Sequence, residues 1–431
     1  MGHQTDSGYG AADYLIASKR CDILGLEQLL RTGRVVVAVS NLIHALQRER
    51  GASNMYLASG GARFAEDLPR LRDESYRMER QFRAALAEID PRTGCVPGAS
   101  RLFSRVAYAI RGLEELGAVR GGIEAGEPEP ETVIDGFSEL IQSLLSVVFE
   151  AADSAADPDI SRLLVAMFHL MQGKECAGQE RAVGAAGFAR GGFSQRLVDR
   201  LRHLIESQER CFEIFRTFAD TRCLAAWEHS GAGETRAEME RLRRRAFASV
   251  TGGPADVELS DLWFRETTGR IDSIKVVEDE LEASLEALCQ EKVAAARSDL
   301  DDHTHHIEEL AQHPDDGASF AVFMPGGCAA ETEAPERLDA DCAGPRLGRS
   351  LVDLVRSQSV RLQSMGEELE EARAALAERK TIEKAKGLIM RHRGVSEEEA
   401  YTFLRQVAMS QSRRLAEVAA DTISMSDILK G

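Results

Sequence analysis

The sequence predicts an all-α protein: two stacked four-helix bundles, then a linker, a connecting helix and a small three-helix module. Three observations support this fold class. The chain of 431 residues has only 6% aromatic residues and 11 prolines, and it is rich in Leu, Ala, Glu and Arg. Apolar residues recur at spacings of three and four, while the alternation typical of strands is nearly absent. The helical segments run for roughly 20–30 residues between short breaks, which favours up-down bundles.

The composition narrows the function classes. With 53 Lys+Arg against 71 Asp+Glu, the formal net charge is −18, so the chain as a whole repels phosphate backbones. Nucleic-acid binding therefore requires a local basic patch. No apolar run approaches the ~18 residues of a membrane span, and the N-terminus lacks the pattern of a signal peptide. None of the eight cysteines forms a CxxC pair. We therefore expect a cytoplasmic protein with reduced thiols, no membrane contact and no cofactor.

The first helical domain is predicted over residues 23–298, after an N-terminal tail of residues 1–22. Its breaks are marked by Gly, Pro and Asp, at 59–61, 90–100, 121–130, 153–159, 191–192 and 251–254. A weak internal echo joins Glu49-Arg50-Gly51 with Glu180-Arg181-Ala182. A duplication that gave two stacked bundles explains this echo, and coincidence between Ala/Gly-rich helices explains it equally well.

A linker is predicted over residues 299–350, because Pro, Gly, Asp and Ala accumulate without a helical period over residues 313–348. In the connecting helix, residues 351–378, apolar residues follow a seven-residue repeat, which predicts a short coiled coil and hence a homodimer. The alternative is a helix that packs on its own domain. The repeat consists of Val355, Leu362, Leu369 and Leu376, with Gln358, Met365 and Ala372 three positions after the first three.

The C-terminal segment, residues 379–431, carries ten Lys+Arg and seven Asp+Glu, so its net charge is +3 in an otherwise acidic chain. Gly394 is suited to end a first helix, and Ser396 with Glu399 predicts a capping box at the start of a second. A third helix follows, with Leu415 and Val418 on its apolar face. This pattern predicts a three-helix module with a basic flank.

The same segment closely resembles the ANTAR domain, an RNA-binding module of bacterial transcription antiterminators. The resemblance is carried by Ile382, Ala385-Lys386-Gly387, Leu388-Ile389-Met390, Gly394, Ala400-Tyr401, Leu404-Arg405, Ala408-Met409, Leu415 and Val418-Ala419. It implies binding to a two-hairpin leader RNA, which prevents a terminator from forming. RNA hairpins present phosphates and splayed bases, which call for basic and stacking groups. The candidate RNA-binding residues are Lys384, Lys386, Arg391, Arg393, Tyr401, Arg405, Arg413 and Arg414.

Structural alternatives exist for several of these residues. Tyr401 is suited to stack on a base and equally to pack in a helix interface. Arg405 is also within reach of Glu398, and Arg413 with Arg414 are also suited to a solvated face.

Residues 23–298 resemble the NIT domain, an all-helical nitrate- and nitrite-sensing module built of two four-helix bundles. The resemblance is carried by Gln47-Arg48-Glu49-Arg50-Gly51-Ala52-Ser53, Lys174-Glu175, Ala177-Gly178, Glu180-Arg181-Ala182, Trp263-Phe264, Thr267 and Arg270-Ile271-Asp272. The order of the two modules resembles the nitrate-responsive antiterminators of nitrate assimilation operons. No segment resembles a receiver domain, so the input is expected to be a ligand.

The resemblance implies that two arginines clamp the anion, because a guanidinium offers a planar donor fork to planar nitrate or nitrite. Arg50 and Arg270 are the matching positions, and Arg181 is a third candidate. The structural alternative pairs Arg50 with Glu175 and Arg270 with Glu266. Arg265, five residues before Arg270, is an alternative candidate for the second anion-binding arginine.

The sequence offers little support for other chemistry. The run His303–His306 lacks a recognised metal-ligand spacing, so no metal site is predicted. No GxSxG or GxxxxGK[ST] motif is present, so no catalytic residues are predicted. The resulting hypothesis is a nitrate- or nitrite-responsive antitermination regulator and not an enzyme. The alternatives are a helical dimeric scaffold and an RNA-binding regulator that responds to another small anion.

Overall fold

The computed structural model describes residues 9–89, 99–126, 130–232, 237–252, 257–312, 321–323, 337–339 and 345–428. Within these ranges the chain is almost entirely helical, which confirms the all-α prediction. The elements in chain order are α1 (Ala11–Ala58), α2 (Asp67–Ala87), α3 (Ala99–Ala125), α4 (Pro130–Ser154), α5 (Pro158–Ala189), α6 (Gln195–Phe218), α7 (Thr221–His229), α8 (Ala237–Gly252), α9 (Leu259–Gln312), β1 (Ala321–Phe323), β2 (Arg337–Asp339), α10 (Pro345–Arg393), α11 (Glu397–Ser410) and α12 (Leu415–Ile428).

Several helix ends follow directly from local sequence. Helix α1 stops before Gly60 and Gly61, whose φ angles of 62° and 88° favour glycine. Helix α10 stops before Gly394, which has a φ of 64°. At the start of α11, the Ser396 side chain accepts from the backbone of Glu399 and the Glu399 side chain accepts from the backbone of Ser396. The capping box predicted for this position is therefore present.

Helix α5 is the central element of the sensor region. It packs against α4, α6 and α8. Most of its side chains are buried, including charged ones such as Lys174, Glu175, Glu180 and Arg181. A helix that is enclosed on all sides normally carries apolar residues only. The buried charges of α5 therefore point to a polar centre inside the domain.

The chain divides into two compact units, residues 31–287 with 369–431 and residues 1–30 with 288–368. The smaller unit pairs the first part of α1 with the last part of α9 through the ion pairs Lys19–Asp299 and Arg297–Glu27. The larger unit holds the helical bundles and the C-terminal module. Both candidate sites lie in this larger unit.

The linker predicted over residues 299–350 is shorter in the structure. Helix α9 continues through Gln312 and α10 begins at Pro345. Between them, residues 321–323 pair with residues 337–339 in a short antiparallel ladder, although the sequence predicted no strand. The apolar and charged residues of 299–312 continue the helical pattern of α9, whereas the composition changes only at His313.

The connecting helix, residues 351–378, is continuous with the first helix of the C-terminal module in α10. Leu369, Ala372 and Leu376, which the coiled-coil prediction assigned to a partner helix, are buried within this one chain. That half of the repeat therefore packs on its own chain, as the alternative proposed. The side chains of Val355, Gln358 and Leu362 lie outside the described residues.

From the sequence we expected no apolar run as long as a membrane span, and two helices show that this expectation was wrong. By length and composition alone, segments of α1 and α4 would be long and apolar enough to cross a membrane. About half of each apolar window, 56% and 44% of its residues, is buried inside the protein. The core helices of soluble bundles pass the same test, so this finding is weak support for a membrane segment.

Candidate anion site and nucleic-acid interface

Arg50 lies in a buried slot between α1 and α5, with a side chain that is 1% exposed. Its guanidinium makes a two-pronged ion pair with Glu175, with Nη1–Oε1 at 2.5 Å and Nη2–Oε2 at 3.1 Å. Nη1 also donates to Ser138 Oγ at 2.8 Å. The side-chain amides of Gln47 and Gln179 donate to the same carboxylate, each at 2.9 Å. The pairing of Arg50 with Glu175 is the alternative that the sequence left open.

Arg181 lies in the same slot as Arg50, and two glycines make room for both guanidinium groups. A Cβ atom on Gly51 would stand 2.7 Å from Arg181 Nη2, and a Cβ atom on Gly178 would stand 2.7 Å from Arg50 Nη2. Any larger residue at either position would displace a guanidinium. The two arginine-bearing motifs of the sequence echo therefore face each other across α1 and α5.

The partners of Arg181 are neutral. Nη1 donates to Thr268 Oγ1 and Nη2 to the Gln47 carbonyl, both at 3.1 Å, and the guanidinium lies 5.0 Å from the centre of the Phe264 ring. Among the described residues, no carboxylate lies within the 4 Å of an ion pair. Burial, followed by the positive charge of Arg50, lowers the pKa of Arg181 to about 10. The group is still protonated at neutral pH, so it is a buried cation without a matching anion.

Arg270 lies in a different cluster, centred on Glu180. Its Nη1 donates to Gln208 Oε1 at 2.7 Å, and its closest approach to Glu180 is 3.9 Å. Its Nε is buried and has no hydrogen-bond partner among the described residues. Arg243 from α8 donates to both oxygens of Glu180, at 2.7 and 3.0 Å. Arg270 and Arg50 therefore have no hydrogen-bond partner in common.

Sequence reasoning missed Arg243, whose side chain is only 5% exposed. Its signal was present in the sequence. Met239 and Ala246, four residues before and three after it, are buried, so Arg243 occupies the apolar face of α8. Arg265, the alternative to Arg270, is exposed and lies 3.6 Å from Glu266.

The C-terminal module is the predicted three-helix unit, formed by the end of α10 with α11 and α12 around a small apolar core. Five of the candidate RNA-binding residues lie on its surface. Arg393 covers the Phe403 ring at 4.1 Å. Arg413 pairs with Glu417 and Asp421, and Arg414 lies 3.4 Å from Glu378. The exposed candidates are Lys384, Arg391, Arg393, Arg413 and Arg414.

The other three candidates contact carboxylates or the sensor helix α6. Arg405 Nη1 donates to both oxygens of Glu206 on α6 at 2.8 Å. The side chain of Glu398, the partner that the sequence offered, lies outside the described residues. The Tyr401 ring is buried, with its centre 4.5 Å from that of His203 and 4.9 Å from the Arg210 guanidinium. In this arrangement neither residue is free to reach RNA.

Lys386 is also buried, and it donates to Glu397 at 2.7 Å. Burial opposes its charge, but Glu383 and Glu397 outweigh burial and raise its pKa. The ammonium group therefore stays charged and is held by acidic neighbours of the same module.

Within the described ranges, no group of three potential metal ligands among His, Cys, Asp and Glu is found. In the histidine run, His303 Nδ1 lies 3.1 Å from Asp299 Oδ1. The cysteines within the described ranges form no disulfide: Cys21, Cys176, Cys211, Cys223 and Cys289.

The fold and these contacts define a helical ligand-sensing domain joined to a small RNA-binding module. Residues 41–286 match the family described as "Nitrate and nitrite sensing" (NIT), and residues 370–423 match the ANTAR domain. The chain is 34% identical over 408 residues to the "Nitrate regulatory protein" of Klebsiella oxytoca, covering 94% of this chain and 93% of the relative. It also superposes on the structure of the NasR transcription antiterminator with a TM-score of 0.60 and 31% identity, covering 96% of this chain and 99% of that one.

The chain therefore belongs to the NIT-domain family, with a nitrate- and nitrite-sensing domain followed by an ANTAR domain. Both resemblances drawn from the sequence are confirmed, and so is the general function of a nitrate-responsive antitermination regulator. The individual ligand-binding and RNA-binding residues stay predictions.

Proposed function

We propose that nitrate or nitrite binds in the α1–α5 slot against Arg181 and Arg50. The observation that carries this proposal is the buried Arg181 guanidinium, which is protonated and has only neutral hydrogen-bond partners. A planar anion matches its planar donor fork and compensates a charge that is costly to bury alone. Arg270, beside Glu180, is the alternative second ligand.

The second part of the proposal concerns the C-terminal module. Glu206 on α6 accepts hydrogen bonds from Arg405, and α6 covers Tyr401. We propose that this is the RNA-free arrangement and that the anion releases α11 from α6. A carboxylate at 2.8 Å occupies the position on Arg405 that an RNA phosphate requires.

A direct route connects the two sites. The slot residues Glu175 and Arg181 belong to α5. Glu180, which directly precedes Arg181, accepts from Gln208 Nε2 on α6 at 2.6 Å, and Gln208 lies two residues from Glu206. An anion that shifts α5 therefore acts on the helix that holds Arg405. A switch from 1:99 to 99:1 requires about a 10⁴-fold preference for the active state, which anion and RNA together supply.

The remaining parts of the proposal concern partners and location. The RNA target is a leader transcript with two hairpins. The protein is a homodimer, and each protomer supplies one C-terminal module for one of the hairpins. The protein acts in the cytoplasm, where nascent transcripts are made. It acts by binding alone and catalyses no reaction.

Calorimetric titration of nitrate and nitrite, with chloride as the control anion, tests the anion site. We expect saturable heat for the wild-type chain and its loss in Arg181→Gln, which removes the charge and retains a polar side chain. The exposed Arg265→Gln is the matched control and should bind as the wild type does. Undiminished binding by Arg181→Gln together with loss in Arg270→Gln would move the site to the Glu180 cluster.

Gel shift with a two-hairpin RNA, with and without nitrate, tests the output. We expect tight binding only with nitrate, and a weaker shift for Arg405→Gln in its presence. RNA binding that ignores nitrate but follows another anion would support a regulator with a different effector. A complete lack of RNA binding would favour the helical scaffold.

A further inference from the structure

A cavity of about 610 Å³ lies between helices α4, α5 and α6 of the sensor and helix α10. Neither the anion slot nor the pairing of Arg405 with Glu206 accounts for it. Its wall combines aromatic rings, neutral hydrogen-bonding groups and charged side chains. A volume of this size is typical of sites for small organic ligands. Such sites are usually present before the ligand binds.

Two neighbouring side chains of α5 give this cavity unsatisfied hydrogen-bonding groups. His169 is 1% exposed, and neither of its ring nitrogens has a partner among the described residues. Gln172, one turn later on the same helix face, has a buried Oε1 without a partner in the same part of the chain. Buried polar groups in native proteins normally have hydrogen-bond partners. Two side chains without such partners beside one cavity therefore indicate that a ligand supplies them.

The chemistry of these groups defines what the partner must offer. A buried neutral imidazole has one N–H donor and one acceptor nitrogen, and Gln172 Oε1 is an acceptor. A partner that presents a carbonyl oxygen beside an N–H gives each side chain one hydrogen bond: the carbonyl accepts from the imidazole N–H, and the N–H donates to Gln172 Oε1. The Phe149 and Phe168 rings, in edge contact with centres 5.3 Å apart, also line the cavity. They favour a flat, apolar ring system.

The charged groups of the wall do not require a charged ligand, because several pair with one another. Glu150 lies 3.5 Å from Arg105, and Lys386 is held by Glu383 and Glu397. A planar, uncharged ring with a lactam edge fits these conditions best. This is the chemical class of the nucleobases uracil and hypoxanthine.

We propose that this cavity is a binding site for a nucleobase whose lactam edge bonds His169 and Gln172. The base has two sources, a free base or nucleoside and an unstacked base of the RNA partner. The site bridges α5 and α10, so its occupant affects the contact between the sensor and the C-terminal module. The proposal does not depend on nitrate binding, since neither Arg50 nor Arg181 lines the cavity.

Calorimetric titration of the full-length protein with uracil and hypoxanthine tests the site. We expect saturable binding of at least one base. Binding of 1,3-dimethyluracil, which lacks both N–H groups, should be at least tenfold weaker than that of uracil. Gln172→Met and His169→Leu should each weaken binding at least tenfold, whereas Gln142→Met, an exposed glutamine of the same cavity, should not. Absence of saturable heat for both bases overturns the proposal, as does binding that is indifferent to both α5 variants.

Two further measurements keep the outcome interpretable. Removal of an unsatisfied buried polar group is not expected to destabilise the ligand-free protein, so both α5 variants should fold and unfold at or above the wild-type temperature. RNA affinity in nitrate then separates the two sources of the base. Weaker RNA binding by the α5 variants identifies an RNA base as the occupant. Unchanged or tighter RNA binding identifies a free base that stabilises the masked arrangement.

Discussion

The sensor domain and the C-terminal module use the same residue, arginine, in opposite environments. In the sensor, Arg50 and Arg181 are buried between helices. In the module, Arg413 and Arg414 lie at the surface. A buried charge makes its site sensitive to the presence of one small anion, because removal of a partner leaves an uncompensated charge in a medium of low dielectric. An exposed charge contributes little by itself and acts as one of many in a phosphate-binding surface.

The largest expected effect is the removal of a buried carboxylate. Glu175→Ala removes the carboxylate partner of Arg50, in a slot where Arg181 already has only neutral partners, and should lower the free energy of unfolding by about 3–5 kcal/mol. Nitrate at about 100 times its dissociation constant should restore about 2.7 kcal/mol if it takes the place of the carboxylate. Urea unfolding with and without nitrate measures both quantities. Glu115→Ala, at an exposed i,i+4 pair with Arg111, is the control and should change stability by less than about 0.5 kcal/mol.

A rescue by chloride equal to that by nitrate would contradict the slot as a nitrate site. It would show that any anion compensates the two arginines. The same experiment on Glu180→Ala separates the Arg50–Arg181 slot from the Arg243–Arg270 cluster.

Buried histidines should make the sensor, and not the module, sensitive to mild acid. Burial, followed by Lys174, lowers the pKa of His44 to about 3, and burial, followed by Arg379, does the same for His169. In the unfolded chain histidine titrates near 6.5, so the ring is neutral in both states above that pH and does not affect stability there. As the pH falls from 6.5 towards 3, the unfolded chain binds protons that the buried rings do not, and the folded state loses stability. Between pH 7 and pH 5 each histidine should cost about 2 kcal/mol.

Urea unfolding at pH 7 and pH 5 tests this expectation. His169→Leu and His44→Leu should each reduce the difference between the two pH values by about half. An unchanged difference in both variants would assign the acid sensitivity to other groups.

The sequence predicted the fold class well because the helical period and the glycine breaks are local signals. Ser396 and Gly394 are examples, since their conformations are set by their immediate neighbours. It also identified both modules and the candidate basic residues. The pairing of Arg405 with Glu206 was not predictable, because the two residues are 199 positions apart and meet only when α11 packs on α6. The burial of Leu369 and Leu376 in one chain was ambiguous for a similar reason: a heptad pattern does not specify which surface covers it.

A smaller effect, on RNA affinity, is expected from the ion pair between Arg405 of the module and Glu206 of the sensor. Glu206→Gln removes one charge of a pair that is partly exposed, 44% on Arg405 and 24% on Glu206, so solvent screening limits the gain to about 1 kcal/mol. We expect roughly fivefold tighter RNA binding without nitrate, since the masked arrangement loses a stabilising pair. Glu213→Gln, an exposed position on the same helix, is the control. RNA affinity that rises only in nitrate would show that Glu206 does not hold the module in its RNA-free arrangement.

The smallest expected effect concerns a single exposed arginine. Arg414 is 76% exposed and only 3.4 Å from Glu378, so Arg414→Gln should leave stability nearly unchanged. If Arg414 contacts a phosphate, log affinity plotted against log salt in nitrate should lose about 0.7–0.9 from its slope. Arg111→Gln on α3 provides the matched control, because it removes an exposed, paired arginine from the sensor. A slope that changes equally in both variants would mean that net charge, and not a phosphate contact at Arg414, sets the salt dependence. A change confined to Arg414→Gln would place this residue on the RNA-binding surface, in contrast to the buried arginines that respond to the anion.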